Sequence, residues 1–238
     1  MFLAAIPLSK KFMQSCFRGF FVVLVIIAGQ TLIQESFKEK RRKKVVISKK
    51  SRLKISDTDL LMSHNKKNWR KKEELSLKES QNKTIITLYL TTIARPTSNV
   101  SCLKHQDNGF IMEEGKFEAV RLFFREPKEA QVKMSILGKM HDESICPVRT
   151  MQLFMRKTRS IKAGLPNGHT LFLSYINNTE KTRSTRPAAI SGWIKRIIEK
   201  AGVDTEVFKA HSIRSVARTK AVEKGFDIFN VKIHAIGV

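Results

Sequence analysis

The second half of the chain alternates short apolar runs with proline and glycine, and the spacing within each run predicts its structure. Apolar side chains in Ile85–Ala94 recur at helical spacing, and Pro96 disfavours helical geometry at the residue before it. Residues 117–124 (FEAVRLFF) alternate between apolar and polar positions, and Pro127 closes the run. The region from Thr84 onward therefore predicts a packed domain that contains both helices and strands.

Further along, three helices and one short strand follow from the same kind of pattern. A proline in the first turn is compatible with the start of a helix, and a glycine just past the end commonly stops one, as Gly202 and Gly225 would. The predicted helices span Cys146–Thr158, Ala188–Ala201 and Ser212–Lys224, and Thr170–Tyr175 is predicted to be a short strand or an extended segment.

Residues 1–83 have a different pattern. Gly19–Ile33 is uncharged, but its strongly apolar part, Phe20–Ala28, is much shorter than the roughly 20 residues of a spanning helix. A signal segment, a membrane anchor and a buried strand or helix all fit this pattern. Residues 57–83 are polar and lysine-rich and predict one helix and a linker. We therefore expect a poorly structured region over 1–83 and a folded domain over 84–238.

The net charge of +24 and the pI near 10.3 favour a polyanionic partner, either nucleic acid or an anionic membrane surface. Residues 1–83 carry 20 basic and 7 acidic side chains, a net of +13, and residues 84–238 carry 25 and 14, a net of +11. The domain is therefore basic in its own right. Three cysteines make a poor disulfide framework, which fits a reducing compartment. Their spacing from histidines matches no compact zinc module, so we expect no metal.

Residues 38–54 form a basic run with ten Lys and Arg against one Glu. Such a run is typical of DNA-backbone contact or nuclear targeting, and equally of a solvated linker. The candidate DNA-contacting residues in it are Lys40, Arg41, Arg42, Lys43 and Lys44.

Five residues that suit phosphate chemistry occur in a recognisable order in the second half. They are Arg95 in TTIARPTSN, Lys128 in REPKEAQ, His211 and Arg214 in HSIRS, and His234 in VKIHA. With the text between them, this order resembles the catalytic domain of phage-integrase-like tyrosine recombinases, in the form found in eukaryotic mobile elements. The resemblance covers roughly residues 84–236.

The resemblance implies a fold and a set of roles. The fold would be α+β, a mainly helical catalytic core with a small antiparallel β-sheet, preceded by an irregular basic region. Arg95 and Arg214 would clamp the phosphodiester, because guanidinium groups stay charged and planar. Lys128, on a β-turn, would protonate the leaving 5′-oxygen, His211 would assist proton transfer at the nucleophile, and His234 would hydrogen-bond the phosphate.

It also implies double-stranded DNA as the partner, with self-association on DNA, no cofactor and a nuclear location. Arg218 joins the candidate DNA-contacting residues.

Two departures from the family pattern change the expected activity. Asn99 replaces the acid that ends the family's Arg-Pro-x-Ser-Asp motif, which weakens the expected support around Arg95. The nucleophilic tyrosine expected after His234 is absent, and Tyr89 and Tyr175 both precede the HSIR motif. We therefore expect a degenerate, truncated recombinase that binds DNA without strand transfer, since no other residue supplies the covalent step.

Two alternatives stay open at this point. One is a membrane-anchored basic protein, with Gly19–Ile33 as the anchor and the basic run as a patch on anionic lipid. The other is a plain basic nucleic-acid-binding module in which the histidine and arginine positions are accidental.

Overall fold

A computed structural model describes residues 56–69, 73–125 and 132–205, together with Val216, Thr219, Val222 and Gly225. Within these residues the helices are α1 (Ser56–Asn68), α2 (Leu77–Thr92), α3 (Pro147–Lys157), α4 (Arg159–Ala163) and α5 (Pro187–Lys200). The strands are β1 (Gly109–Glu113), β2 (Lys116–Arg125), β3 (Val132–Gly138), β4 (Leu173–Ser174) and β5 (Arg183–Ser184), and Val100–Cys102 forms a 3-10 turn.

Strands β1, β2 and β3 form an antiparallel meander with β2 in the middle. Alternate side chains of β2 are fully buried at Val120, Leu122 and Phe124, because successive residues of a strand point to opposite faces of the sheet. This confirms the strand predicted over 117–124. A mixed helical domain with a small antiparallel sheet is also the architecture that the resemblance implied.

Helix α2 runs through the core, and its residues from Ser80 to Thr92 are buried apart from Asn82. It begins with a capping box, in which the Ser76 hydroxyl accepts the Glu79 backbone N–H and the Glu79 carboxylate accepts the Ser76 N–H. The Ser76 hydroxyl also donates to the Glu79 carboxylate at 2.6 Å, and this bond together with that of the Ser76 N–H lowers the pKa of Glu79. The prediction of a helix near 85–94 is thus confirmed, and the helix begins eight residues earlier, at Leu77. The helices predicted from Cys146 and Ala188 correspond to α3 and α5.

Helix α1 packs against α2 through buried polar side chains as well as apolar ones. Leu61 and Met62 belong to the common core. The Lys83 ammonium donates to the Asn65 Oδ1 at 3.0 Å, and the Asn65 amide donates to the Thr87 hydroxyl at 3.4 Å. The expected domain start at residue 84 therefore falls inside α2, after residues that already pack in the core.

The strand predicted over Thr170–Tyr175 is confirmed for Leu173 and Ser174 alone, which pair with β5. Tyr175, expected at the end of a buried strand, is 58% exposed and has a left-handed backbone with φ of 56°. Tyr175 therefore lies just past the paired residues, where the chain turns sharply and directs this side chain to solvent.

Several predicted features lie outside the described residues, among them the apolar segment Gly19–Ile33 and the basic run 38–54. Among the helices that the structure describes, none has the length and apolar character needed to cross a bilayer.

Candidate functional site

Arg95 lies on a tight corner that follows the buried helix α2. Ile93 ends the helix in the left-handed conformation, with φ of 53°. Ala94 and Pro96 are buried, whereas Arg95 between them is exposed. The chain thus anchors both neighbours in the core and presents the guanidinium side chain at the surface, which is the arrangement that an anion-contacting arginine needs.

The corner is closed by hydrogen bonds that converge on Arg95 and Asn99. The Asn99 Oδ1 accepts the Arg95 backbone N–H at 3.0 Å and the Ser98 hydroxyl at 3.3 Å. The Arg95 carbonyl accepts the backbone N–H groups of Asn99 and Val100 at 3.0 and 3.1 Å. These bonds hold the backbone on both sides of the arginine in one geometry.

Asn99 itself is fully buried, and its contacts correct one expectation from the sequence. We expected an asparagine in place of the acid to weaken the support around Arg95. Its amide oxygen instead accepts the Arg95 N–H, as a carboxylate oxygen could, because the backbone donor requires an acceptor and no full charge. The sequence placed Asn99 at the position that supports Arg95, and the structure shows the hydrogen bond through which its amide does so.

Lys128 lies outside the described residues, between the last residue of β2 and the first of β3. These two ends, Arg125 and Val132, are paired across the antiparallel ladder. Arg125 makes a two-bond ion pair with Asp107, at 2.7 and 2.9 Å, which raises the pKa of the guanidinium. The Arg125 side chain therefore makes a structural ion pair at the end of β2, three residues before Lys128 in the sequence.

His211, Arg214, Arg218 and His234 also lie outside the described residues, as do Lys40, Arg41, Arg42, Lys43 and Lys44. Close to this group, Val216, Thr219 and Val222 are helical, within the helix predicted over Ser212–Lys224. Val216 is buried in the common core, and Gly225 has a left-handed backbone with φ of 93°. The catalytic roles expected of all five residues, Arg95 included, stay predictions.

The two tyrosines of the sequence occupy very different environments. Tyr89 is completely buried within α2. Tyr175 follows β4, whose Leu173 backbone exchanges two hydrogen bonds with the Gln81 amide, at 3.0 and 2.8 Å. Gln81 lies 11 residues before Thr92, the last residue of α2, so roughly 16 Å of helix separates the turn that contacts β4 from the helix end that leads to Arg95.

Tyr175 borders a cleft of about 880 Å³ that the first turns of α2 and helix α5 also line. The Arg183 guanidinium lies over its ring at 5.2 Å from the centroid. Tyr175 thus belongs to a surface at the opposite end of α2 from Arg95.

Within the ranges that the structure describes, no three His, Cys, Asp or Glu side chains cluster as metal ligands would. Cys102 is partly exposed and Cys146 is buried, each as a free thiol.

No family model matches the sequence, and no curated protein matches it. Among solved structures, the fold is similar to that of the site-specific recombinase XerH bound to its difH substrate in a pre-cleavage complex. The similarity has a TM-score of 0.52 at 21% identity and covers 76% of this chain. The chain spans less than half of the length of that recombinase, 44% of it. This chain thus shares its fold with part of that recombinase.

Proposed function

We propose that the chain is a DNA-binding protein of the tyrosine recombinase class and that it grips the phosphate backbone of duplex DNA through the Arg95 corner. The observation that carries the proposal is the exposed arginine on a corner fixed by Asn99, in a fold similar to that of a DNA-bound recombinase. The backbone on both sides of Arg95 is fixed before the ligand arrives, so only the side chain has to be ordered on binding and more of its interaction energy appears as affinity.

The basic composition supports the same partner. A net charge of +24 gives attraction to any polyanion, and that attraction falls steeply with salt because binding releases counterions from the DNA. In this proposal Arg214, Lys128 and the two histidines complete the phosphate contacts, and the basic run 38–54 adds contacts along the backbone. Descent from a mobile-element recombinase and a nuclear location belong to the same proposal.

The 238 residues by themselves would bind DNA without cleaving it. Cleavage needs a tyrosine hydroxyl in line with the scissile phosphorus. Tyr89 is buried, and Tyr175 lies at the other end of α2 from Arg95. Neither tyrosine is placed to attack a phosphate held at Arg95.

The test is duplex binding by fluorescence anisotropy at 0.15 M salt. We expect Arg95→Ala combined with Arg214→Ala to weaken binding at least about tenfold, since charge-assisted phosphate contacts contribute roughly 1.5–3 kcal/mol each. The matched control is Arg183→Ala with Arg186→Ala, two exposed arginines near β5, for which we expect a loss below about threefold.

Equal losses in the two double variants would favour a plain basic module with accidental arginine positions. A nicked suicide duplex tests the chemistry separately, and we expect no covalent protein–DNA adduct. An adduct mapped to Tyr175 would contradict the placement of that residue away from the phosphate.

A further inference from the structure

The cleft beside Tyr175 combines aromatic and positively charged side chains in one concave surface. It lies between the end of α1, the first turns of α2, the turn after β4 and one side of α5, and its volume is about 880 Å³. Its lining includes several carboxamides, the aromatic rings of Trp69, Tyr175 and Trp193, and the cations Lys78, Arg196 and Lys200. Both tryptophans of the chain thus lie in this one cleft.

Tyr175 is held at the cleft in a conformation that folding alone does not favour. Of the Phe, Tyr and Trp side chains that the structure describes, only that of Tyr175 is exposed. Its left-handed backbone, with φ of 56°, is strained for a residue that carries a Cβ. Strained residues persist mainly where a functional surface uses them, so an exposed ring on such a backbone indicates a ligand-binding role.

The turn that follows Tyr175 fixes this conformation. The Tyr175 carbonyl accepts the backbone N–H of Asn178 at 2.8 Å and the hydroxyl of Thr182 at 3.0 Å. The Arg183 guanidinium covers the ring, although Arg183 is not among the residues that line the cleft. The cation therefore supports the ring from outside the cleft, and the ring is a flat surface already in place before a ligand arrives.

The charges at the cleft favour an anionic ligand. Lys78, Arg196 and Lys200 are all exposed. Glu79 is the one acid among the described residues of the lining, and its carboxylate accepts two hydrogen bonds from Ser76, at 3.0 and 2.6 Å. Three cations therefore face one carboxylate that is already hydrogen-bonded.

The opposite wall of the cleft is uncharged. His64 of α1 packs edge-on against Trp69, with ring centroids 5.7 Å apart. Burial, and to a smaller extent the charge of Lys200, lowers the pKa of this imidazole, so it is neutral at pH 7. An anion at the cations would thus lie beside neutral aromatic walls.

A ligand that uses all of these groups needs a flat ring, a polar edge and a negative charge. A nucleotide has all three, because its base stacks on aromatic rings, its base edge bonds to carboxamides and its phosphate pairs with cations. An acidic peptide would engage the cations and leave the exposed ring without a stacking partner. The paired bases of a duplex stack on one another, so only an unpaired base offers a free face to Tyr175.

We propose that this cleft binds an unpaired nucleotide of single-stranded nucleic acid, with the base on the Tyr175 ring and the neighbouring phosphates at Arg196 and Lys200. The volume of the cleft is within the range of small-molecule sites. The cleft and the Arg95 corner lie at opposite ends of α2, and this site does not rest on the proposed grip on duplex DNA.

The experiment is a fluorescence titration of the full 238-residue chain with an oligothymidylate of about ten nucleotides. Bound bases would quench the tryptophan emission, since both tryptophans line the cleft. An abasic oligomer of the same length carries the same phosphates without bases. We expect quenching by the thymidylate and an affinity at least about fivefold higher than that of the abasic oligomer, the contribution of one stacked base.

Substitutions of Tyr175 test the stacking itself. Tyr175→Ala should lower the affinity for thymidylate at least about fivefold and leave the affinity for the abasic oligomer unchanged. Tyr175→Phe keeps the ring and should bind as the wild type does. The matched control is Met112→Ala, an apolar side chain of β1 that is 55% exposed and lies outside the cleft, for which we expect unchanged affinities.

Substitutions of the cations test the phosphate contacts separately. Lys200→Ala should weaken binding of both oligomers alike, and should make the slope of log affinity against log salt less steep by about 0.7. Lys195 lies on the same helix, pairs with Glu199 at 3.7 Å and does not line the cleft. Lys195→Ala should leave the slope unchanged.

Three results would overturn the proposal. They are equal affinity of the wild type for the two oligomers, a thymidylate preference that survives in Tyr175→Ala, and thymidylate binding without tryptophan quenching. If the preference is absent and Tyr175→Ala dissociates a dimer in sedimentation, the cleft is instead a contact between two copies of the chain. Oligouridylate in a parallel titration identifies the source of the nucleotide, since the tighter-binding oligomer assigns the site to DNA or to RNA.

Failure of this site and failure of the proposed function can be told apart. Arg95→Ala combined with Arg214→Ala should weaken duplex binding and leave the quenching by thymidylate intact. A chain that binds thymidylate through Tyr175 and shows no affinity for duplex would overturn the proposed function and leave this site standing. A chain that binds duplex through Arg95 and does not distinguish thymidylate from the abasic oligomer would do the reverse.

Discussion

Two lysines of this chain are buried in the same domain and differ in what surrounds their ammonium groups. Lys83 of α2 donates to the Asn65 Oδ1 and so fastens α1 to α2. Lys162 of α4 has no hydrogen-bond partner among the described residues and lines a cavity that other basic groups share. Burial alone therefore does not assign a role to a charged residue. The hydrogen-bonded ammonium of Lys83 holds two helices together, whereas the ammonium of Lys162 lies 4.6 Å from the centroid of the Phe154 ring and destabilises the fold through its buried charge.

The largest expected effect is a gain in stability when the unsatisfied lysine is removed. The fall of the Lys162 pKa from 10.5 to about 7 corresponds to a cost of about 5 kcal/mol at pH 6, since a tenfold change in proton affinity is worth about 1.4 kcal/mol. The unfolded chain keeps this proton up to pH 10.5, and the folded chain loses it above about pH 7. The cost is therefore full below pH 7 and disappears as the pH rises from 7 to 10.5.

We accordingly expect Lys162→Met to raise the free energy of unfolding at pH 6 and to raise it less at pH 9.5. Urea unfolding of both proteins at the two pH values measures this difference, and subtracting the wild type cancels the titration of all other groups. A gain of equal size at both pH values would show that the lysine carries its charge in the folded protein throughout this range.

The next effect has the opposite sign and concerns the satisfied lysine. Asn65→Leu removes the acceptor of Lys83 and leaves a buried charge with fewer partners, which should lower the free energy of unfolding by about 3 kcal/mol. Asn68→Leu makes the same substitution at an exposed position of α1 and should cost less than about 1 kcal/mol. Urea unfolding at pH 7 measures both, and equal costs would argue against a supporting role for Asn65.

The smallest effect belongs to a lysine that is paired at the surface. The Lys66 ammonium lies 2.7 Å from the Asp142 carboxylate, with about two-fifths of each side chain exposed. Solvent screens such a pair, so Lys66→Ala should change the free energy of unfolding by less than about 1 kcal/mol. Thermal unfolding in low and high salt measures it. A loss of unfolding free energy as large as that of Asn65→Leu would mean that the exposed fraction of a side chain does not predict how much its ion pair stabilises the fold.

The elements that could be predicted from the sequence are those in which apolar spacing and chain-breaking residues agree. Helix α5 combines an apolar stripe with a proline at its start and Gly202 beyond its end. Strand β2 alternates and precedes Pro127. Strands β1 and β3 lie at the edges of the sheet and leave Met112, Val132 and Met134 about half exposed, so their apolar pattern carries little positional information. Helix α1 buries polar residues such as Thr58 and Asn65, so its buried face cannot be recognised in the sequence as an apolar stripe.

The candidate sites also divide into one that a local sequence pattern predicts and one that it does not. Arg95 could be predicted because it stands in a short motif next to a helix-ending proline. The depression beside Lys162 could not, because the pairing of Lys104 with Thr170 that forms its wall joins positions more than 60 residues apart. In the sequence, Arg156 to Lys162 reads as an ordinary solvated basic stretch. Its burial is a tertiary effect that no local pattern contains.

The contact between α1 and α2 has a practical consequence for producing this protein in pieces. A fragment that begins at residue 84 would cut α2 in the middle and discard Lys83, the Ser76 cap and all of α1. The remaining half-helix would lose its start signal and expose core side chains to water, which favours aggregation during expression. A fragment that begins at or before Ser56 keeps both helices and is the sensible starting point for expression trials.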